Sequence, residues 1–186
     1  GNLRPEQQLA AEALLAHDTG VLSASTAFGK TVVAAYLIAA RAVNTLVLVH
    51  RKQLLDQWVE RLRAFLELLE DAIGAIGGGR RNATGIIDVA MIQSLSRKGV
   101  VNDIVADYGY LIVDECHHVS APRFEMVLNE VRAKYVLGLT ATPERQDGHQ
   151  KIIFMAAGSI RHKVKSTTED KFEQQVVVHQ LYDTPP

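Results

Sequence analysis

The tripeptide Gly29-Lys30-Thr31 constrains the fold of this chain most, because it stands between a short apolar run and a helical pattern. The apolar run covers residues 21–24, and the helical pattern covers residues 31–40. A strand, a tight loop ending in Gly-Lys-Thr and a helix form the layout of a phosphate-binding loop, in which backbone N–H groups and the helix dipole converge on one anion. The residues predicted to surround a nucleotide are Thr26, Ala27, Phe28, Gly29, Lys30 and Thr31.

Ala24 departs from the phosphate-loop pattern, whose first position is usually a glycine. An ordinary strand-to-helix turn with a surface lysine is the alternative interpretation of this stretch. The motif alone does not decide between the two, so the rest of the chain has to supply the other partners of a nucleotide.

The composition is that of a globular domain without a global attraction for nucleic acid. The chain has 186 residues, 47% of them hydrophobic, which is enough for one good-sized domain with a substantial core. A net charge of −1 argues against a protein that coats DNA, but it allows an enzyme with a local DNA groove. Cys116 is the only cysteine, which excludes a disulfide within the chain and favours a cytoplasmic location. No apolar stretch approaches the length of a membrane span, so no membrane partner is expected.

Apolar runs and helical patterns alternate along most of the chain. Strands are predicted at residues 21–24, 45–49, 86–91, 110–113 and 135–139, and helices at residues 3–16, 31–40, 51–69 and 122–133. This alternation predicts an α/β fold in three layers, with helices on both faces of a mainly parallel sheet. Trp58 is interpreted as a packing residue of its helix, and Cys116 as a small packing residue. A turn is predicted at residues 77–82, a short helix near 100–106 and a late strand at 176–178.

Polar residues cluster where the predicted strands end, directly after Ala24, Val49, Met91, Val113 and Leu139. The carboxyl ends of parallel strands share one edge of a sheet, and ligands of open α/β sheets bind beyond that edge. The clusters are therefore expected to meet in one site.

Asp114 and Glu115 directly follow a buried strand. Two adjacent carboxylates are costly there unless a cation lies nearby, and a magnesium nucleotide held by Lys30 and Thr31 supplies one. We expect Asp114 and the Thr31 hydroxyl to hold Mg²⁺, while Glu115 orients and deprotonates the attacking water. The alternative is an exposed acidic turn.

Three segments together resemble motifs I, II and III of the superfamily 2 helicases and translocases of DEAD/DEAH type. These segments are residues 24–31, Asp114-Glu115-Cys116-His117 and Thr140-Ala141-Thr142. Residues 138–148 resemble, more particularly, the branch that contains the xeroderma pigmentosum group B-type DNA helicases and the motor subunits of type I and III restriction enzymes. Residues 3–7 resemble the opening motif of that branch, although Glu6 stands where an aromatic residue is usual.

The resemblance implies a RecA-like P-loop NTPase domain that couples Mg²⁺-dependent ATP hydrolysis to movement on nucleic acid, with DNA as the expected track. By motif position, Arg4 and Gln7 would contact adenine. His117 would act in catalysis by linking the γ-phosphate to Thr140 and Thr142, so that hydrolysis and strand binding sense each other.

The resemblance also places motif Ia at residues 50–57 and motif Ib at residues 92–94. Arg51, Gln93 and Ser94 are the residues expected to contact the phosphate backbone of the nucleic acid. An ordinary helix N-terminus and a polar turn are the alternative interpretations of these two segments.

One departure from the family pattern lies in motif I, where Ala27 and Phe28 replace the usual small residues and glycine. Ala27 would be strained if the loop needed a positive φ at that position, and nucleotide affinity would then suffer.

The resemblance implies that ATP is bound between two RecA-like domains, the second of which brings an arginine finger. We predict that residues 1–165 form the ATP-binding domain and that residues 166–186 extend towards the second domain. Loss of such a finger costs on the order of 10³ to 10⁵ in rate in related enzymes. The chain alone is therefore expected to bind ATP weakly, to hydrolyse little and not to unwind.

Three other functions are compatible with parts of the pattern. The domain could serve as the motor of a restriction or defence-system nuclease, with a nuclease as its partner domain. A P-loop small-molecule kinase would use the phosphate loop, but it has no need of Glu115 beside Asp114 or of the Thr140-Ala141-Thr142 segment. A nucleotide-binding interaction module would bind ATP without hydrolysing it.

Overall fold

The computed structural model describes residues 2–97, 100–101, 108–141 and 151–153. Its helices are α1 (Pro5–Leu15), α2 (Lys30–Arg41), α3 (Lys52–Phe65), α4 (Ile92–Leu95) and α5 (Ala121–Val131). Its strands are β1 (Thr19–Ala24), β2 (Thr45–Val49), β3 (Ile73–Gly77), β4 (Arg80–Arg81), β5 (Ile87–Met91), β6 (Ser96–Arg97), β7 (Val100–Val101), β8 (Tyr110–Val113), β9 (Tyr135–Ala141) and β10 (Lys151–Ile153). None of the helices described combines the length and the apolar character needed to cross a membrane.

Eight of the ten described strands form one large sheet in the order β10-β1-β9-β8-β2-β5-β3-β4, and β6 and β7 pair separately. From β1 to β3 all neighbours in this order run parallel, whereas β10 and β4 lie antiparallel at the two edges. Every residue of β2 and β8 is buried, as expected for strands covered on both faces. The predicted mainly parallel sheet is therefore confirmed.

The connections between strands put helices on both faces of the sheet. The connections that contain α2 and α3 advance from β1 to β2 and on to β3, whereas the connection that contains α5 runs back from β8 to β9. Crossovers between parallel strands are right-handed almost without exception, so opposite directions place their helices on opposite faces. The three-layer α/β/α architecture predicted from the alternating pattern follows from this topology.

Three local predictions need correction or lie outside the described residues. The predicted turn at residues 77–82 is the tip of a hairpin, because β3 and β4 pair antiparallel around it. The prediction of a helix was wrong at Val100–Val101, which pairs with Ser96–Arg97 as a small hairpin. The remainder of that predicted helix and the predicted strand at residues 176–178 lie outside the described part of the chain.

Candidate functional site

The candidate site is a cleft beyond the carboxyl ends of the neighbouring strands β1, β9 and β8. The cleft measures about 450 Å³. Its walls include most of the residues predicted for the phosphate loop and both acidic residues, namely Thr26, Gly29, Lys30, Thr31, Asp114 and Glu115. Ala141, Val32 and three residues of α3, Leu54, Gln57 and Arg61, complete the lining. The sheet topology thus joins segments that the sequence separates widely.

The loop between β1 and α2 makes one turn of 3₁₀ helix at Thr26–Phe28 before α2 begins. Its left-handed residue is Gly29, with φ of 82°, and Ala27 has no positive φ. The strain considered for Ala27 therefore does not arise. A Cβ atom at Gly29 would lie 2.6 Å from Nε2 of Gln7, so an alanine there would be strained by its φ and would displace the Gln7 amide.

The ammonium group of Lys30 is folded back onto its own loop. Its Nζ donates to the carbonyl oxygens of Ala24 at 2.8 Å and Ser25 at 3.4 Å. Burial lowers the pKa of Lys30, while the charges of Asp114 and Glu115 act in the opposite direction. Neutral carbonyl groups leave the positive charge available for an anion, which is what phosphate binding at this loop needs.

Arg4 and Gln7 both hold the outer side of the phosphate loop. Arg4 Nη2 donates to the carbonyl oxygens of Phe28 at 2.7 Å and Ala27 at 3.0 Å, and Gln7 Nε2 donates to that of Phe28 at 2.7 Å. Oε1 of Gln7 in turn accepts from the backbone N–H of Arg4 at 2.8 Å. These contacts tie the start of α1 to the loop, and adenine contact by the two residues stays a prediction.

The carboxylate of Asp114 accepts a hydrogen bond on each oxygen. Oδ1 accepts from the backbone N–H of Glu115 at 2.8 Å, and Oδ2 accepts from the indole Nε1 of Trp58 at 2.8 Å. Burial raises the pKa of Asp114, and the two hydrogen bonds act against that rise. Trp58 is 2% exposed, which confirms that it is a packing residue. The sequence did not predict its hydrogen bond to Asp114.

Glu115 has a left-handed backbone, with φ of 48°, and its carboxylate contacts two basic side chains. Its Oε1 lies 3.2 Å from Nε2 of His50, and its Oε2 lies 3.3 Å from Nη2 of Arg51. Gln93 joins this group because its Nε2 donates to the backbone oxygen of His50 at 2.9 Å. Two residues predicted to contact nucleic acid therefore lie beside the predicted water-activating carboxylate. A left-handed non-glycine residue in such a position is typical of functional sites.

Ser94, the third residue predicted to contact nucleic acid, lies instead beside the hairpin tip. A Cβ atom at Gly77 would be 2.7 Å from Oγ of Ser94. The structure therefore places Ser94 against the turn between β3 and β4, while its role in binding stays a prediction.

His117 is joined to Thr140 across the end of the sheet. Its Nδ1 lies 2.5 Å from Oγ1 of Thr140, as expected for residues that link motifs II and III. Burial lowers the pKa of His117, and the neighbouring His118 ring, 4.0 Å away between centroids, lowers it further. Thr142, predicted to act with Thr140, lies outside the described residues.

Cys116 is buried behind this site, which confirms its interpretation as a packing residue. The side chain is 3% exposed and faces Gly138, where a Cβ atom would lie 3.0 Å from the sulfur. Burial raises the pKa of its thiol to about 12.

Sequence reasoning missed the contribution of α3 to the site. Leu54, Gln57, Trp58 and Arg61 recur at helical spacing, so they share one face of that helix. This periodicity shows which residues lie together, but it does not show that their face turns to the cleft.

Comparison with known proteins agrees with the motifs. A family model described as "Type III restriction enzyme, res subunit" matches residues 1–145. A protein of Acanthamoeba polyphaga mimivirus that carries the name of an ATP-dependent RNA helicase is 33% identical over 186 residues, covering 98% of this chain and 35% of the relative. The DNA 3′-5′ translocase XPB2 of Sulfurisphaera tokodaii is 31% identical over 182 residues, covering 97% of this chain and 40% of the relative.

The fold agrees with that of a solved helicase. The UvsW helicase from Bacteriophage T4 superimposes with a TM-score of 0.65 at 17% identity, covering 80% of this chain and 56% of the helicase chain. At that identity the likeness concerns the fold alone. Since the family model covers more than three quarters of the sequence, the chain belongs to the family of the type III restriction enzyme res subunit, within the superfamily 2 helicases.

Proposed function

We propose that this chain is the ATP-binding domain of an ATP-dependent DNA helicase or translocase, in which ATP hydrolysis drives movement along nucleic acid. The observation that carries the proposal is the cleft that brings Lys30 and Thr31 together with Asp114 and Glu115. A small-molecule kinase or a passive nucleotide-binding module has no use for a second carboxylate in this cleft. The family match and the names of the two relatives support the same activity.

The residues of the cleft divide the chemistry of ATP hydrolysis among them. Lys30 neutralises the phosphates once its ammonium leaves the carbonyl groups of Ala24 and Ser25. Glu115 accepts the proton of the attacking water, and its carboxylate is held in place by His50 and Arg51. These assignments provide a cation for the phosphates and a base for the attacking water in one cleft.

Magnesium fits the set of oxygen donors in this cleft. The hydroxyl of Thr31 and the carboxylate of Asp114 line it together, and oxygen ligands of this kind are those that Mg²⁺ prefers. Both oxygens of Asp114 keep lone pairs beyond the hydrogen bonds that they accept. Bound Mg²⁺ would offset the negative charge of the phosphates beside Asp114 and Glu115.

The remaining residues of the site are proposed to sense the nucleotide and to transmit its state. Arg4 and Gln7 contact the loop at Phe28, and we assign them the adenine base. The hydrogen bond between His117 and Thr140 supports a link between the γ-phosphate and the strand-binding side, which Thr142 would share.

Nucleic acid is proposed to bind along the cluster formed by His50, Arg51 and Gln93, together with Ser94. Arg51 is half exposed, and the chain as a whole is nearly neutral, which suits a local contact with a phosphate backbone. The name of one relative refers to DNA and that of another to RNA. We choose DNA because the motifs at residues 138–148 resemble the DNA-dependent branch.

A second RecA-like domain is proposed to complete the enzyme. The chain spans 35% and 40% of the lengths of the two relatives described above, which leaves room in such proteins for further domains. We assign residues 1–165 to the ATP-binding domain and residues 166–186 to the segment that leads to the second one.

The single buried cysteine supports an activity in the cytoplasm.

A restriction or defence-system motor is the second candidate, because the matching family model describes a restriction-enzyme subunit. In that case the same domain would serve a nuclease partner. Cleavage of plasmid DNA that depends on ATP, assayed with the protein encoded by the whole parent gene, would favour this candidate over a helicase without a nuclease.

The proposal is tested by titrating a fluorescent ATP analogue into the chain with and without Mg²⁺, and then with single-stranded DNA or RNA of equal length. We expect binding of the ATP analogue to depend on Mg²⁺ and to be abolished by Lys30→Ala. We also expect the chain to bind DNA more tightly than RNA. Binding that is indifferent to both Mg²⁺ and Lys30 would overturn the proposed nucleotide site. Equal or better retention of RNA would overturn the choice of DNA.

A further inference from the structure

The indole of Trp58 contacts the carboxylate of Asp114 across 56 positions of sequence. Its Nε1 donates to Oδ2 at 2.8 Å, and the side chain is almost fully buried in the core. We propose that Trp58 is a positioning residue that fixes the orientation of the Asp114 carboxylate for Mg²⁺. This inference rests on the proposed function, in which Asp114 holds the metal.

The hydrogen bonds on Asp114 lock the plane of its carboxylate. One comes from the backbone N–H of Glu115 to Oδ1, and the other from Trp58 to Oδ2. The second torsion angle of an aspartate is broad and roughly two-fold, so a single hydrogen bond would leave the plane free to turn. A donor on each oxygen removes that freedom and still leaves lone pairs for a cation. A side chain that is already held in the orientation needed for a metal binds it more tightly, because it loses less conformational freedom on binding.

The packing of Trp58 in the core does not by itself explain why its indole N–H donates to Asp114. A buried N–H that lacks an acceptor costs about 1–3 kcal/mol, so some acceptor is required. The acceptor used here is a charged carboxylate that lines the cleft, and such charge-assisted bonds are among the stronger ones in proteins. The tryptophan therefore satisfies its own N–H and orients a functional group with the same bond.

The helix that carries Trp58 is packed into the core by neighbouring side chains. Its residues Leu55, Val59 and Leu62 are buried at 0%, 3% and 0% exposure. Directly before this helix lie His50 and Arg51, which contact the neighbouring carboxylate of Glu115. Helix α3 and the two residues before it thus contact both acidic residues of the site.

The decisive experiment removes the N–H while keeping the shape of the ring. Trp58 is the only tryptophan of the chain, so β-(3-benzothienyl)alanine, in which sulfur replaces the N–H group, can be incorporated at this position alone. Trp58→Phe is the genetic counterpart. The readouts are the Mg²⁺ concentration that half-saturates binding of a fluorescent ATP analogue, the affinity for the analogue without Mg²⁺, and the melting temperature.

We expect the benzothienyl protein to need on the order of ten times more Mg²⁺, as is common when a residue that orients a metal ligand is lost. Affinity without Mg²⁺ should stay unchanged. In an Asp114→Asn background the same replacement should have no further effect on the Mg²⁺ dependence. Val59→Ala is the control for packing, because it should lower the melting temperature without changing the Mg²⁺ requirement.

An unchanged Mg²⁺ requirement in the benzothienyl protein would show that Trp58 only packs, and would overturn the inference while leaving the nucleotide site intact. A wild-type protein whose nucleotide binding ignores both Mg²⁺ and Asp114→Asn would instead overturn the proposed metal site, and the role of Trp58 with it.

Discussion

Arg51 is paired with Glu115, its Nη2 lying 3.3 Å from Oε2 of the carboxylate. The pair joins a side chain proposed to contact nucleic acid to one proposed to activate water. Arg51 is 51% exposed and the Glu115 side chain 27%, so the pair contributes little to stability. A phosphate group of nucleic acid can therefore compete for the guanidinium at small cost.

Arg51→Ala is expected to weaken binding of single-stranded DNA with little effect on folding. Removal of one phosphate contact should reduce the slope of log affinity against log salt concentration by about one. Lys134→Ala is the matched control. Lys134 directly precedes β9 and so lies at the amino ends of the parallel strands, whereas Arg51 follows the carboxyl end of β2. Fluorescence anisotropy of labelled DNA at several salt concentrations measures both variants. An unchanged salt slope for Arg51→Ala would remove Arg51 from the proposed interface.

Glu115→Gln is expected to keep ATP binding and to stop hydrolysis. The amide retains the size of the side chain but cannot accept the proton of water, and general-base catalysis typically contributes about 10² to 10⁴ in rate. The measurement is DNA-stimulated ATP turnover in the protein that also carries the proposed second domain, together with ATP affinity. Glu125→Gln, on the exposed face of α5, is the control for loss of a charge. Turnover of Glu115→Gln at the rate of the Glu125→Gln control would deprive Glu115 of its proposed role.

Gly29→Ala is expected to destabilise the chain and to weaken nucleotide binding. The positive φ of 82° costs an alanine about 1–2 kcal/mol, and the new Cβ would meet Nε2 of Gln7 at 2.6 Å. Gly79→Ala is a close control, because Gly79 has φ of +87° but no atom within 4 Å of an added Cβ. Urea unfolding of the two variants separates strain in the backbone from the clash. Equal losses of stability would show that Gln7 moves away without cost.

Much of this fold could be predicted from the sequence because buried parallel strands consist of unbroken apolar runs. Thr45–Val49 and Tyr110–Val113 have the bounds that the sequence predicts. The site could be placed for a related reason, since motif residues follow strand ends and strand ends share an edge.

Strand β3 escaped prediction because Gly74 and Gly77 interrupt its apolar pattern. The structure explains Gly74, where a Cβ atom would lie 2.3 Å from both the carbonyl oxygen of Asn82 and Oδ1 of Asp88. Close approach of a neighbouring chain segment is a property of the tertiary structure, and no local pattern reports it. The contact between Trp58 and Asp114 is of the same kind, because it depends on which face of α3 packs against the sheet.

Cys116 is expected to resist thiol reagents while the chain is folded. Its side chain is 3% exposed, and burial raises the pKa of the thiol to about 12, so hardly any reactive thiolate exists near neutral pH. Reaction with a chromogenic disulfide should be very slow in buffer and should become fast in concentrated urea. Fast reaction of the folded protein would show that the packing of Cys116 against Gly138 opens readily.

His117 is expected to make the chain less stable as the pH falls. Burial lowers its pKa below the ordinary value of 6.5, so the unfolded state binds the proton first as acid is added. The unfolded state then carries more protons than the folded state, and the free energy of unfolding decreases below about pH 6.5. Urea unfolding at pH 7.5 and 5.5 should show a larger loss for the wild type than for His117→Gln, because the variant lacks the imidazole whose pKa is lowered in the folded state. An equal loss in the two proteins would mean that His117 binds its proton as readily in the folded chain as in the unfolded one.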